Sequence, residues 1–247
     1  MPNTESILKE LVGRLSEAAG DNLVSVVLFG SAARGDFHER RSDLNVLCCI
    51  SSASMIELKR LAAAARWWTE HENQPPLLIF TETELRQSAD VFAIEILDMQ
   101  KHHRVLFGKD PVAGVSVPMN LHRVEVEHEL RSALLKLRQH YLRTSDDSDA
   151  LAQVAVKSFS SVLALLRHAL IAFGDDVPGT SQEVIQHAAQ RTGANAQSLL
   201  AVYALREKGQ NGDVRSMYGN YLAALETVIA ALDRQLPKHE WKRVHHA

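Results

Sequence analysis

The sequence predicts an α/β (α+β) domain followed by an all-α helical bundle. Three short apolar runs alternate with helical segments in the first half, whereas only helical periodicity follows residue 120. The stretch between them is rich in Val, Gly and Pro and has no helical period, as expected of a linker. The predicted boundaries are residues 1–108 for the α/β domain, 109–119 for the linker, 120–238 for the bundle and 239–247 for a flexible tail.

The elements of the first domain follow from spacing and turn residues. An apolar stripe with helical spacing predicts the first helix over residues 4–19. Apolar runs bounded by Gly and Pro, the first of them rich in β-branched residues, predict strands over residues 23–29, 44–50 and 77–81. The other predicted elements are helices over 54–71 and 90–102 and a brief extended piece over 104–107.

The second half repeats one signal, a capping residue followed by apolar residues at helical spacing. Asn120 suits the N-cap position, and Thr180 with Glu183 fits a capping box. The helices predicted in this half span residues 120–143, 150–173, 180–192, 196–208 and 213–236.

Composition and charge exclude several classes of protein. With 46% apolar and 23% charged residues, the chain has the composition of a soluble globular protein. No uninterrupted apolar run reaches about 18 residues, so we expect no membrane span. The net charge of −3 gives no basic excess for binding a phosphate backbone, so nucleic acid is not an expected partner. Cys48 and Cys49 are adjacent in an apolar run, and such reduced thiols are typical of the cytoplasm.

The most informative stretch spans residues 28–47. It begins in an apolar run, breaks at Gly30-Ser31, and re-enters an apolar run that holds Asp43 and Asn45. Side chains two apart on a strand project from the same face, so Asp43 and Asn45 are expected to point together toward Gly30 and Ser31. A glycine lets backbone approach a phosphate closely, and a serine adds a hydroxyl donor at a helix start.

This pattern resembles the signature of the nucleotidyltransferase-fold superfamily: a strand, a Gly-Ser turn that opens a helix, then Asp-x-Asp on the next strand. The resemblance implies that Gly30, Ser31 and Arg34 contact the triphosphate of a nucleoside triphosphate such as ATP. It also implies that Asp43 is a catalytic ligand of Mg²⁺ or Mn²⁺, with Asn45 at the position of the second aspartate.

Other interpretations stand beside these roles. Arg34 is equally compatible with a solvated side chain or with an ion pair to a neighbouring aspartate. Asn45 offers a neutral amide oxygen, which ligates Mg²⁺ but removes one negative charge from the site. The third strand, where the superfamily places another acidic residue, has the sequence PLLIFT over residues 76–81 and contains no carboxylate. Glu82 follows its end, and Glu95 and Asp98 lie on the next helix.

The helical half resembles two kinds of bundle. One is the C-terminal bundle of aminoglycoside nucleotidyltransferases, which helps to form the acceptor pocket. The other is the small HEPN-type helical protein, whose ribonucleases carry an Arg-x4–6-His motif. Arg123 and His128 have that spacing, but in a helical chain with 12 histidines such a match arises easily by chance.

Two functions are consistent with the sequence. The first is a transferase that moves a nucleoside monophosphate to a hydroxyl of a small molecule or protein acceptor. The second is a catalytically inactive relative, a pseudoenzyme, that binds a nucleotide or another protein, with the helical half as a homodimer interface. A carboxylate within about 5 Å of Asp43 favours the first function, whereas an apolar wall of Ile79 and Phe80 in that place favours the second.

Overall fold

The structure, a computed structural model, describes residues 2–34, 43–209 and 212–235, without the side chains of residues 2, 3, 31, 34 and 208. The chain forms two compact units, Met1–Pro118 and Met119–Ala247. The first is a mixed sheet with helices, and the second is helical, in agreement with the predicted fold class.

The described part of the first unit contains a four-stranded sheet with the spatial order β3-β2-β1-β4. Strand β1 is antiparallel to both β2 and β4, whereas β2 and β3 are parallel. The strands are β1 (Leu23–Phe29), β2 (Asn45–Ile50), β3 (Leu78–Thr81) and β4 (His103–Gly108). The helices are α1 (Pro2–Ala19), α2 (Ser31–Arg34), α3 (Met55–Arg66), α4 (Glu82–Gln87) and α5 (Ala93–Lys101).

Alternation of side chains along the strands gives this sheet two hydrophobic cores. The first core joins α1 and α3 to one face of the sheet, which includes Val46 and Cys48. The second joins α4 and α5 to the opposite face, which includes Val27 and Leu47. The second core therefore covers the face on which the odd-numbered residues of β2 lie.

The second unit contains five helices within the described residues. The helix α7 supplies the largest share of its buried core, because leucine, alanine and valine recur along most of its circumference. The helices are α6 (Met119–Thr144), α7 (Ser148–Ala172), α8 (Ser181–Thr192), α9 (Ala196–Lys208) and α10 (Val214–Asp233).

One of these helices bears on the question of a membrane. By length and composition alone, α7 is the single helix in the described ranges that is apolar enough to cross a bilayer. Half of its most apolar window is buried inside the protein (50%), as in the core helix of a soluble protein. The expectation that no segment spans a membrane stays a prediction.

Three local features differ from the elements predicted above. The short helix α4 lies where no helix is predicted. The predicted helix over residues 54–71 ends as α3 at Arg66 and continues as one wider turn, Trp67–His71. In the segment predicted as a linker, Val112 is fully buried in the second core, and the Gln100 side chain donates hydrogen bonds to the carbonyls of Val112 and Val115 at 3.2 and 2.6 Å.

Candidate functional site

The turn that follows β1 depends on a glycine in a left-handed conformation. Gly30 has a φ of +78°, a conformation that strongly favours glycine. Its carbonyl accepts a hydrogen bond from the N–H of Ala33 at 3.2 Å, which closes the single turn of α2. A Cβ atom placed on Gly30 would lie 3.0 Å from the side-chain nitrogen Nδ2 of Asn45. The space above Gly30 is therefore bounded by the amide of Asn45.

The register of β1 with β2 places Asn45 beside Gly30. It is the first residue of β2 and lies opposite Phe29, the last residue of β1. Asp43 comes two residues earlier and is exposed, while Leu44 between them is buried in the first core. The structure therefore brings Gly30 and Asn45 together and places Asp43 just before the strand.

The other residues predicted to bind the nucleotide are described only in part. Ser31 and Arg34 follow Gly30 in α2, but their side chains lie outside the described residues, as does the whole segment from residue 35 to 42. Their contacts with a triphosphate stay a prediction, as do the roles of Gly30, Asp43 and Asn45.

The third strand presents apolar side chains to the face that carries Asn45. Leu47 lies opposite Leu78 and Cys49 opposite Phe80, so these residues share a face with Asn45. Ile79 packs in the first core, on the other face. The apolar wall on this strand is thus formed by Leu78 and Phe80, with Ile79 turned away.

Glu82 lies near the end of β2 that is opposite to Asn45, so it does not complete the site. Because β2 and β3 are parallel and Ile50 lies opposite Thr81, Glu82 follows the end of β3 at the level where β2 also ends. Asn45 is five residues back along β2, which corresponds to roughly 16 Å. The carboxylate of Glu82 also pairs with the Lys109 ammonium at 2.7 Å.

The remaining candidate carboxylates lie on α5. Glu95 has one oxygen, Oε2, that is buried and accepts no hydrogen bond from the residues the structure describes, and Asp98 lies one turn further on. Across the described ranges, no group of three or more His, Cys, Asp or Glu side chains is placed to hold a metal ion. These residues therefore do not fit a pair of cations held by three carboxylates, and the role of the exposed Asp43 carboxylate as a ligand of one cation stays a prediction.

The two cysteines have no nucleophilic character. Both thiols are free and fully buried in β2. Burial, with a smaller contribution from Cys49, raises the pKa of Cys48 from 9.0 to about 12. Burial, followed by the charge of Glu82, raises the pKa of Cys49 to about 11, against the opposing effect of Lys109. At neutral pH neither side chain forms the thiolate that nucleophilic attack requires.

The Arg-x4-His pair of the helical unit is divided between two environments. Arg123 is buried and donates hydrogen bonds to the Glu127 carboxylate at 2.8 Å and to the Leu232 carbonyl at 2.9 Å. The side chain of His128 is 73% exposed. Residues five apart on an α-helix are about 140° apart around its axis, so the two side chains point in different directions. Arg123 has a structural role that joins α6 to the end of α10.

Comparison with known proteins gives two matches. A family model described as "Nucleotidyltransferase domain" matches residues 8–101. Among solved structures, the chain is similar to the spectinomycin adenyltransferase AAD(9) from Enterococcus faecialis, whose crystal structure contains ATP and spectinomycin. The match has a TM-score of 0.56 and 12% sequence identity, and it covers 92% of this chain and 98% of that one. At this identity the similarity is one of fold. A comparison with curated proteins gives no match.

Proposed function

Because residues 8–101 form a domain of the nucleotidyltransferase fold, we propose that the protein transfers a nucleoside monophosphate from a nucleoside triphosphate to a hydroxyl group of an acceptor. The observation that carries this proposal is the contact between the Gly30 turn and Asn45 at the end of β1. In the proposed reaction the acceptor oxygen forms a bond to the α-phosphorus and its proton passes to solvent. The bond from the α-phosphorus to the oxygen that bridges it to the β-phosphate breaks, and pyrophosphate leaves.

In this proposal, different residues contact the triphosphate and the cation. Gly30 has no Cβ atom, so its own side chain does not keep the triphosphate away from the backbone of the turn. Asp43 would hold Mg²⁺ or Mn²⁺ with its exposed carboxylate. When bound, such a cation neutralises charge on the phosphate oxygens during transfer. The similarity to an adenyltransferase whose crystal structure contains ATP supports a nucleoside triphosphate as the donor.

Calorimetric titration with ATP, GTP, CTP and UTP, each with and without Mg²⁺ or Mn²⁺, tests this proposal. We expect one nucleotide to bind, and we expect Asp43→Asn to weaken binding in the presence of the cation. Asp90→Asn is the matched control, because Asp90 is also exposed and lies in a turn of the same unit. If none of the four nucleotides binds the unmodified chain, the proposal is wrong.

A second function is favoured by one specific observation, the apolar face of β3. Since the face of β3 that carries Leu78 and Phe80 has no carboxylate, the fold is also suited to a module that binds nucleotide without transferring it. Release of pyrophosphate from labelled nucleotide, in a screen of hydroxyl acceptors, separates the two. Binding without any pyrophosphate release would favour the module.

A further inference from the structure

The side chain of Asn45 presents its nitrogen to the space above Gly30. From the position of a Gly30 Cβ, the distances are 3.0 Å to Nδ2 and 3.9 Å to Cγ of Asn45, so the NH₂ half of the amide faces the turn. An amide nitrogen carries two hydrogen-bond donors and is not a cation ligand, whereas a phosphate oxygen accepts such donors. At this point the chain therefore offers hydrogen-bond donors to an anion, which the carboxylate of an aspartate would lack.

We propose that the site takes its nucleoside triphosphate with a single divalent cation, and that the Asn45 amide donates a hydrogen bond to phosphate where a second cation would otherwise stand. This inference rests on the proposed function and specifies the form in which the nucleotide binds. Two-cation sites place the ions about 4 Å apart and need enough carboxylates to offset their mutual repulsion.

The neighbouring strands do not replace the charge that Asn45 lacks. On β3 the side chains that share its face are Leu78 and Phe80, and on β1 its partner is Phe29. Glu82 is engaged by Lys109 at the far end of the sheet. Within the described ranges, Asp43 is thus the one carboxylate that the strand pattern places beside Asn45.

Counting bound Mn²⁺ by electron paramagnetic resonance tests the inference on the full chain. The probe is Mn²⁺ with an ATP analogue whose α,β-bridge is a methylene group, or with the same analogue of whichever nucleotide binds, so that no transfer consumes the complex. We expect one Mn²⁺ for each bound nucleotide in the unmodified protein. In Asn45→Asp, which restores a carboxylate and removes the amide donor, we expect the count to rise from one to two.

A matched variant controls for the added charge. Asn195 is the N-cap of α9, where aspartate caps as well as asparagine, so Asn195→Asp adds the same charge away from the site and should leave the count at one. Two Mn²⁺ in the unmodified protein would overturn the inference while leaving the proposed function intact. A count of one in Asn45→Asp would also overturn it, because position 45 would then not face the cations. If no nucleotide binds at all, the proposed function and the inference fail together.

Discussion

At the scale of single residues, Gly30 determines whether the turn after β1 keeps its conformation. We expect Gly30→Ala to destabilise the first unit by about 1–2 kcal/mol, because an alanine at φ +78° is strained and its Cβ would press on Asn45 at 3.0 Å. Nucleotide affinity should fall as well. Urea unfolding and nucleotide titration measure the two effects.

Gly13 provides the control for that substitution. It lies within α1, and a Cβ placed there meets no atom within 4 Å. Gly13→Ala should therefore stabilise the same unit by about 0.5–1 kcal/mol through helix propensity and leave nucleotide affinity unchanged. Equal stability for the Gly30→Ala variant and the unmodified protein would show that the turn tolerates a side chain.

Substitutions of Arg123 and His128 distinguish a structural role from a ribonuclease site. Arg123→Ala should lower the stability of the helical unit by about 2 kcal/mol, because it removes charge-assisted hydrogen bonds to Glu127 and Leu232. His128→Ala should change stability by less than about 0.5 kcal/mol, since the side chain is mostly exposed. Urea unfolding checks both values. Cleavage of RNA by the unmodified protein that either substitution abolishes would instead support a ribonuclease site.

Some positions of the candidate site could be predicted from the sequence alone, and others could not. The position of Asn45 beside the Gly30 turn agrees with two successive apolar strands that pair with each other, whereas the orientation of Asp43, which precedes β2, stays a prediction. The position of Glu82 depends on the direction in which β3 runs beside β2, which its own sequence does not specify. One oxygen of Glu95 is buried without a hydrogen bond from the described residues, and no local sequence pattern signals this.

At the scale of elements, two helices in the described ranges begin with complete capping boxes. In α8 the Thr180 hydroxyl accepts a hydrogen bond from the Glu183 N–H at 3.2 Å, and the Glu183 carboxylate accepts one from the Thr180 N–H at 3.1 Å. Thr180→Ala should destabilise the helical unit by about 1 kcal/mol in urea unfolding. Thr180→Ser keeps the hydroxyl and should recover most of the loss. Failure of serine to do so would mean that the methyl group, and not the cap, stabilises the helix.

The helix α4 has one sequence signal, its capping box, but no clear apolar periodicity. Thr81 and Glu84 form the same reciprocal hydrogen bonds as the box in α8, and hydrogen bonds from Thr81 lower the pKa of Glu84. The spacing Thr-x-x-Glu is visible in the sequence, but six residues without a long apolar stripe give little periodic signal. Longer elements such as β1 show a clear pattern, and its predicted span over residues 23–29 agrees with the structure.

The order of the strands belongs to the whole fold and could not be deduced locally. β1 lies between β2 and β4, although β4 is the last strand along the chain. Each strand alone shows only that it is apolar. The pairing emerges when α1 and α3 cover one face and α4 and α5 the other, since this arrangement buries both sets of alternating side chains.

Buried thiol and phenol groups give the whole molecule a predicted response to alkaline pH. Burial raises the pKa of Tyr218 to about 12 and raises that of Tyr221 as well, beside the raised values of Cys48 and Cys49. Unfolded thiols ionise near pH 9 and unfolded phenols near pH 10, while the folded protein keeps these protons. The folded state then binds more protons, so stability falls as pH rises.

Urea midpoints measured from pH 7 to 11 check this response. Below about pH 8 these groups are protonated in both states and should contribute no slope. By pH 10 we expect a loss on the order of 1 kcal/mol for each thiol. Tyr221→Phe should flatten the part of the decline that belongs to the helical unit. A constant midpoint up to pH 11 would contradict the assigned burial of these groups.

The residue just before β2 is hydrogen-bonded to the segment that precedes β3. The Leu44 N–H donates a hydrogen bond to Oε1 of Gln74 at 2.9 Å, so the carboxamide of Gln74 adjoins the residue that follows Asp43. A glutamate at position 74 can accept the same hydrogen bond and add a negative charge there. In the genetic code, Gln to Glu and Asn to Asp each need one change at the first base of the codon. Two single-base changes would therefore place carboxylates at positions 45 and 74, in addition to that of Asp43.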